Sequence, residues 1–236
     1  MANNIYQYSV LSALMQGLAH AGPTAQQILT HGDHGLGTVS HMNGEIIIVD
    51  GEIYHFTAHN QLRKVDATEI FPFLMITQFR PTLTKHLPTL TLSTIPAALA
   101  PLLPSHQNSF LSVRIDAFFD QVAFRVIPGQ SDAKEWLVDL AKRQQHHSVH
   151  RLRGVLFGFW SPSFSNGFSI AGFHLHFLAA DRSAGGHVTG FEARDVTLSA
   201  AVVQEYRVEL PQDGAFHESP IRHFGEDLLH AAEGSR

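Results

Sequence analysis

The sequence predicts an α/β fold in which sheet dominates: two sheet-rich halves of mixed and antiparallel strands with a few flanking helices. Three observations carry this prediction. Runs rich in β-branched and aromatic residues recur from residue 45 to residue 210, whereas helical spacing is confined to short segments. Turn signals such as Asp50-Gly51 separate apolar runs that can pair. A hydrophobic content of 44% in 236 residues is enough to bury a substantial core.

Taken in chain order, Ile5, Leu11, Leu14, Met15 and Leu18 recur at helical spacing and predict an amphipathic helix over 4–19. Pro23 suits the first turn of a short helix over about 23–31, which exits at Gly32. "EIIIVDGEIYHF" (45–56) reads as a hairpin turning at Asp50-Gly51, and "FLMITQF" as a strand over 73–79 that runs up to Pro81. Residues 81–108, with prolines at 81, 88, 96, 101 and 104, read as a domain junction or a short helix-bearing connection. They divide the chain into an N-terminal α/β half, 1–105, and a C-terminal sheet half, 106–236. "SFLSVRIDAFFDQVAFRVI" (109–127) is long enough for two strands. Ser131 is placed to cap a helix through about 145 whose face is Trp136, Leu137, Leu140 and Ala141. Strands over 153–160, 168–179, 187–203 and 205–210 complete the C-terminal half.

Composition removes several classes of function. Charged residues make up 16% and the formal net charge is −5, so no basic field exists to draw the protein onto nucleic acid or anionic lipid. The absence of cysteine excludes disulfides, thiolate nucleophiles, iron–sulfur clusters and Cys-ligated zinc. The first residues carry no Lys or Arg ahead of their apolar part, and Gln7, Tyr8, Ser9 and Ser12 interrupt it, which points to a cytoplasmic protein. No apolar run approaches the roughly 20 residues needed to cross a bilayer.

Histidine is the conspicuous residue, with 17 copies. In "AGFHLHFLAADRSAGGHV" (171–188), strand alternation places His174 and His176 on one face, about 7 Å apart. Gly185 and Gly186 permit a tight reversal that would return His187 to the same place. Three imidazoles with one open coordination position describe a catalytic rather than a structural zinc site. The other groups read more plainly. His146, His147 and His150 lie in the polar stretch "RQQHHSVH", and His31 and His34 flank Asp33 in a glycine-rich turn.

At "GFHLHFLAADRSAGGHV" the sequence resembles the acetolactate decarboxylase family, whose zinc is held by the H-x-H pair and the following G-G-H histidine. The similarity extends through "IYQYSVLSALMQG", "HGDHGLGTVSHMNGEIIIVDGEIY" and "PSFSNGFSIAGFHLHF", and so over nearly the whole chain. The resemblance implies that His174, His176 and His187 bind Zn2+, that Glu45 is an active-site carboxylate and Arg125 of "AFRVIPG" the active-site cation, and that Thr38 lines the pocket. Glu233 of "AEGSR" resembles the C-terminal glutamate that folds back to the metal, and Phe224, Leu228 and Leu229 are spaced to dock that tail. "VRIDAFF" and "RVIPGQSDAKEW" depart from the family's pattern around the cation, which leaves Arg114 as the competitor of Arg125.

What the resemblance implies chemically is a carboxy-lyase acting on a small molecule, 2-acetolactate, as a homodimer. Acetolactate is a β-keto acid; loss of CO2 leaves an enediolate, which a Lewis-acidic zinc stabilises without an organic cofactor. An arginine fork suits the departing carboxylate better than a lysine. Glu45 or Glu233 then protonates carbon on one face, giving the family's product, (R)-acetoin. Two alternatives share part of the pattern. Small DNA-associated proteins of the plant and prokaryote conserved domain carry a similar H-x-H and G-G-H, but they are about half this length and this chain lacks a basic arm. A cupin-like metal enzyme would want a glutamate where Ala179 or Ala180 stands.

Overall fold

The computed structural model describes residues 3–103, 105, 107–225 and 228. Its elements, in order, are β1 (Asn4–Tyr8), α1 (Leu11–Met15), α2 (Ala25–Ile28), β2 (His34–Thr38), β3 (Glu45–Val49), β4 (Glu52–Phe56), β5 (Leu62–Arg63), β6 (Phe73–Thr77) and β7 (Leu83–Thr91). There follow α3 (Ile95–Ala98), β8 (Leu111–Val126), α4 (Leu137–Ala141), β9 (Gln145–Ser161), β10 (Gly172–Ala179), β11 (Gly185–Val202), β12 (Glu205–Glu209) and α5 (Gly214–His217). The expected class holds: two sheets dominate and the helices are short.

The first sheet has seven strands in the order β12-β1-β6-β2-β3-β4-β5 and is mixed, because β1 pairs parallel to β12 and its other pairings are antiparallel. The second has the order β10-β9-β8-β11-β7, and an additional β10–β11 pairing closes four of its strands into a ring. β7 thus joins the second sheet, and β12 returns to the first. Alternation sorts the side chains into three apolar layers. Leu111, Val113, Phe124, Phe177 and Leu198 pack within the ring. Tyr6, Ile46, Ile48 and Leu74 face α2, whose Thr24 N-cap and Gln27 form a reciprocal capping box. Between the two sheets lie Ile47, Phe56, Met75, Phe157 and Leu178, joined by α1 and α4.

Several expectations are corrected. Residues 4–8 are a strand rather than the start of a helix, because Ile5 enters the inter-sheet core while Tyr6 and Tyr8 enter the opposite layer, a two-residue alternation locked by neighbours on both edges. Only Leu11–Met15 is helical in the stretch expected to be a helix over 4–19. The 81–108 stretch contains a nine-residue strand; Pro88 is tolerated because β7 is an edge strand. Residues 109–127 form one strand, not two. The helix after Ser131 is confined to α4, because Ser131 gives its N–H and hydroxyl to Glu135 and residues from Gln145 onward pair with β8. The hairpin at 45–56 has the expected turn, with positive φ at both Asp50 (54°) and Gly51 (81°), as type I′ geometry requires. Among the described residues no helix is long and apolar enough to cross a membrane.

Gly185 and Gly186 play a part other than the expected reversal. Neither has positive φ; the turn is made before them, where Arg182 adopts φ 64° and the Ala179 N–H bonds Ala184 O. A Cβ at Gly185 would stand 2.5 Å from the Phe56 ring, and one at Gly186 would stand 2.7 Å from Phe124. Glycine here lets β11 press against the first sheet and against β8. Gly185→Ala is expected to lower stability by about 1–3 kcal/mol, the usual cost of overpacking. Urea unfolding measures this, and an unchanged midpoint would mean that the layers can part freely.

Candidate metal centre

Strand pairing assembles the site. Arg125 on β8 stands directly opposite His187 on β11, which stands directly opposite His176 on β10, so these side chains form a row across three neighbouring strands. His174, two residues from His176, shares its face. This face of the ring is turned toward the first sheet, from which β3 supplies Glu45 on the side shared with Ile47 and Val49. The five side chains line one pocket together with Thr38, and Leu14, Phe73, Ile127, Leu137 and Ile170 supply its apolar walls.

The three histidines are buried, with exposures of 5%, 1% and 4% in chain order, and one nitrogen of each lies within 4.8 Å of the others. Among the described residues this is the one group of three or more potential ligands so placed. His176 Nδ1 donates to the Ile46 carbonyl at 2.8 Å, which leaves its Nε2 facing the cavity. His176 Nε2 and His174 Nδ1 are buried without a hydrogen-bond partner among the described residues. A buried polar atom left unsatisfied costs about 1–3 kcal/mol, so two of them aimed at one space fit a bound cation. Burial is also the main reason that His174 and His187 are pushed well below the usual histidine range and His176 down to about 3; Arg125 adds to the shift in all three. The donor set is therefore neutral at ordinary pH, the form that coordinates a metal.

Glu45 and Arg125 are equally enclosed, with Arg125 Nη1 donating to Glu45 Oε1 at 3.1 Å. Glu45 Oε2 stands 3.5 Å from His176 Nε2. Thr38 borders the cavity, but its hydroxyl donates to Gly44 O at 2.8 Å. Arg114 is elsewhere: it forms a two-pronged pair with Asp116 and a contact of 2.7 Å with Asp50, beside the Asp33–His34 pair. His31 stacks on Tyr6, His147 bonds Ala58 O, and His150 contacts Ser148. Glu233 and Leu229 lie outside the described residues. Phe224 is buried between the sheets against Trp136, whereas Leu228 is about half exposed.

One buried polar residue beside the site that sequence reasoning did not single out is His55 of β4, which reaches the turn before Glu45. Its sequence signal was a lone histidine between Tyr54 and Phe56 in an otherwise apolar run.

The metal-free protein should lose stability as pH falls below about 6.5. There the unfolded chain takes up protons that the buried imidazoles refuse, so stability is full above the unfolded value and declines toward the folded one. Each such histidine adds a slope of about 1.4 kcal/mol per pH unit. Urea titrations at pH 7.5 and 5.5 measure it; the slope should be shallower in His176→Gln, and equal slopes would refute the assignment.

The comparisons bear on the whole chain. The family described as alpha-acetolactate decarboxylase matches residues 5–223. An alpha-acetolactate decarboxylase of Methylococcus capsulatus is 32% identical over 98% of this chain and 89% of its own length. One from Raoultella terrigena is 31% identical over 92% of this chain and 84% of its own. The crystal structure of alpha-acetolactate decarboxylase from Bacillus subtilis strain 168 superposes with a TM-score of 0.92 at 28% identity, covering 98% of this chain and 99% of that one.

Proposed function

The chain belongs to the alpha-acetolactate decarboxylase family, and on that premise we propose that it is a zinc-dependent carboxy-lyase converting 2-acetolactate to (R)-acetoin. The observation that carries the metal requirement is the pair of orphaned buried nitrogens on His174 and His176, which open into the cavity that also holds Glu45 and Arg125. His174, His176 and His187 would hold the ion. When bound, zinc supplies Lewis acidity that stabilises the negative charge developing on the substrate oxygens.

The chain's own groups divide the remaining work. The apolar walls exclude water, which strengthens each polar contact inside and keeps stray protons from the reacting carbon. Arg125 offers a planar fork to the substrate carboxylate and fixes the bond that must break. As that bond breaks, CO2 departs and the electron pair passes toward the ketone oxygen; the carbon then takes one proton. Glu45, whose Oε1 accepts from Arg125 before substrate binds, would carry that proton once Arg125 turns to the substrate carboxylate and deliver it from one side of the cavity, which is what a single stereochemical outcome needs. In the same reading Glu233 is a second carboxylate brought back by the tail, for which Phe224 is the anchor. Among the described residues β12 is an edge strand of the first sheet, and in the same reading a second copy of the chain pairs there to give a homodimer.

Purified protein is expected to carry about one zinc per chain and to form (R)-acetoin from racemic acetolactate. His176→Ala should lose both zinc and turnover, and full occupancy with normal turnover in that variant would sink the reading.

Arg125→Lys keeps the charge but loses the two-pronged geometry, so kcat/KM should fall at least roughly tenfold, about 1.4 kcal/mol. Arg114→Lys should stay within roughly twofold of the parent. The reverse pattern would exchange the two arginines' roles.

A further inference from the structure

A second histidine network reaches the turn that launches Glu45. His55 on β4 stands opposite Ile46 of β3. Its Nε2 is 2.6 Å from Asn43 O, and its Nδ1 is 2.8 Å from Arg63 Nε. An arginine N–H can only donate, so Nδ1 is the acceptor and the ring proton sits on Nε2, which gives it to the carbonyl. Arg63 is held in turn by Glu69, Nη2 to Oε2 at 2.6 Å. A chain of polar contacts therefore runs from the half-exposed Arg63 to the peptide just ahead of Gly44 and Glu45.

Two other contacts hold the same turn. The Thr38 hydroxyl donates to Gly44 O, and Asn43 forms a bridge with Pro128, just beyond the strand that carries Arg125. Gly44 has φ +97°, and a Cβ there would stand 2.7 Å from His55 Nε2 and 2.3 Å from Phe56 O. Glycine is what lets the imidazole come up beneath the turn. An apolar side chain at position 55 would fill the core without a desolvation penalty; the imidazole instead fixes one backbone carbonyl.

We propose that His55 is a positioning residue for the reaction: by holding the Asn43–Gly44 turn, it sets where the Glu45 carboxyl stands against Arg125 and the cavity. The claim rests on the reading of Glu45 as a working carboxyl, and it has force because displacements of about 1 Å in a reacting constellation can cost a hundredfold.

The test compares His55→Leu, His55→Gln, Glu45→Gln and the His55→Leu/Glu45→Gln double variant as zinc-loaded enzymes, with kcat and KM measured separately. His55→Leu should lose roughly tenfold or more in kcat, with KM within about threefold and zinc content unchanged. His55→Gln, whose amide can donate to the same carbonyl, should recover most of that loss. In the Glu45→Gln background His55→Leu should cost nothing further, because the two act through one group. Parental kcat in His55→Leu, equal losses in the two His55 variants, or additive losses would overturn the proposal. Should His55→Leu fail to fold, Arg63→Met removes the donor at Nδ1 and carries the same test, with a kcat loss that vanishes in the Glu45→Gln background. Should the parent form no acetoin, the functional reading fails by itself. The positioning claim is then decided by the crystal structure of His55→Leu, where a Glu45–Arg125 contact still at 3.1 Å overturns it and a displaced carboxyl upholds it.

Discussion

The hydrogen bond from His176 Nδ1 to the Ile46 carbonyl, 2.8 Å long, ties the ring to the seven-stranded sheet beside the cavity that holds the three histidines. It uses one nitrogen of the imidazole and thereby fixes the tautomer and aims the other at the cavity, as a backbone carbonyl does behind a metal-binding histidine. It also fixes β3, whose first residue is Glu45, relative to β10. The two histidine-bearing strands and the carboxylate-bearing strand are thus held in one frame by the pairing of β10 with β11 and by this bond to a backbone carbonyl. Lose that frame and Glu45 has no defined relation to the histidines.

Burial then decides the electrostatics. Burial makes each of the three imidazoles harder to protonate, and the guanidinium beside them, itself 3% exposed, adds to this in the same direction. Neutral imidazoles leave a divalent ion's charge largely uncompensated, which is useful where negative charge must develop on a substrate. The buried Glu45–Arg125 pair is not a good way to gain stability, since the desolvation of two charges offsets much of their attraction. Its value lies in placing a cation and a carboxyl at fixed positions in a space walled by Leu14, Phe73, Leu137 and Ile170.

Much of this was legible in the sequence because strand alternation is a local rule. His174 and His176 share a face for the same reason that Leu175 and Phe177 share the other, and no long-range information is needed to see it. The choice between Arg125 and Arg114 was different. Both lie on β8, and only the register of β8 against β11 sets Arg125 opposite His187 while Arg114 stands opposite Ser199. Register is a property of two strands together, so one strand's pattern could not decide it. The N-terminal misreading has a related cause. Ile5 fits a helical stripe with Leu11 and Leu14, yet Ile5 and Tyr6 are buried in different layers, and partners at 74–76 and 205–209 impose the strand. The glycines before His187 were read as turn formers, when what they supply is the missing Cβ between β11 and its neighbours. That role shows only once the layers are assembled. His55 escaped because its partners come from two separate places in the chain, Asn43 from the turn before β3 and Arg63 from β5.

The site lies between the two sheets, and packing explains why no other location would serve. The interior of the four-strand ring is filled by Val113, Phe124, Phe177 and their neighbours, so it has no room for a substrate. Outside the ring, a polar row on a strand face would sit in water, where imidazoles titrate normally and ions are screened. Only a face covered by a second sheet is both dry and spacious. That sheet must come close enough to seal the space, which Gly185 permits against Phe56, and must stop short at the histidines, where α1 and α4 contribute Leu14 and Leu137 to the walls instead of further strands. The short helices, marginal by their own length, are therefore placed where regular sheet packing would have closed the cavity.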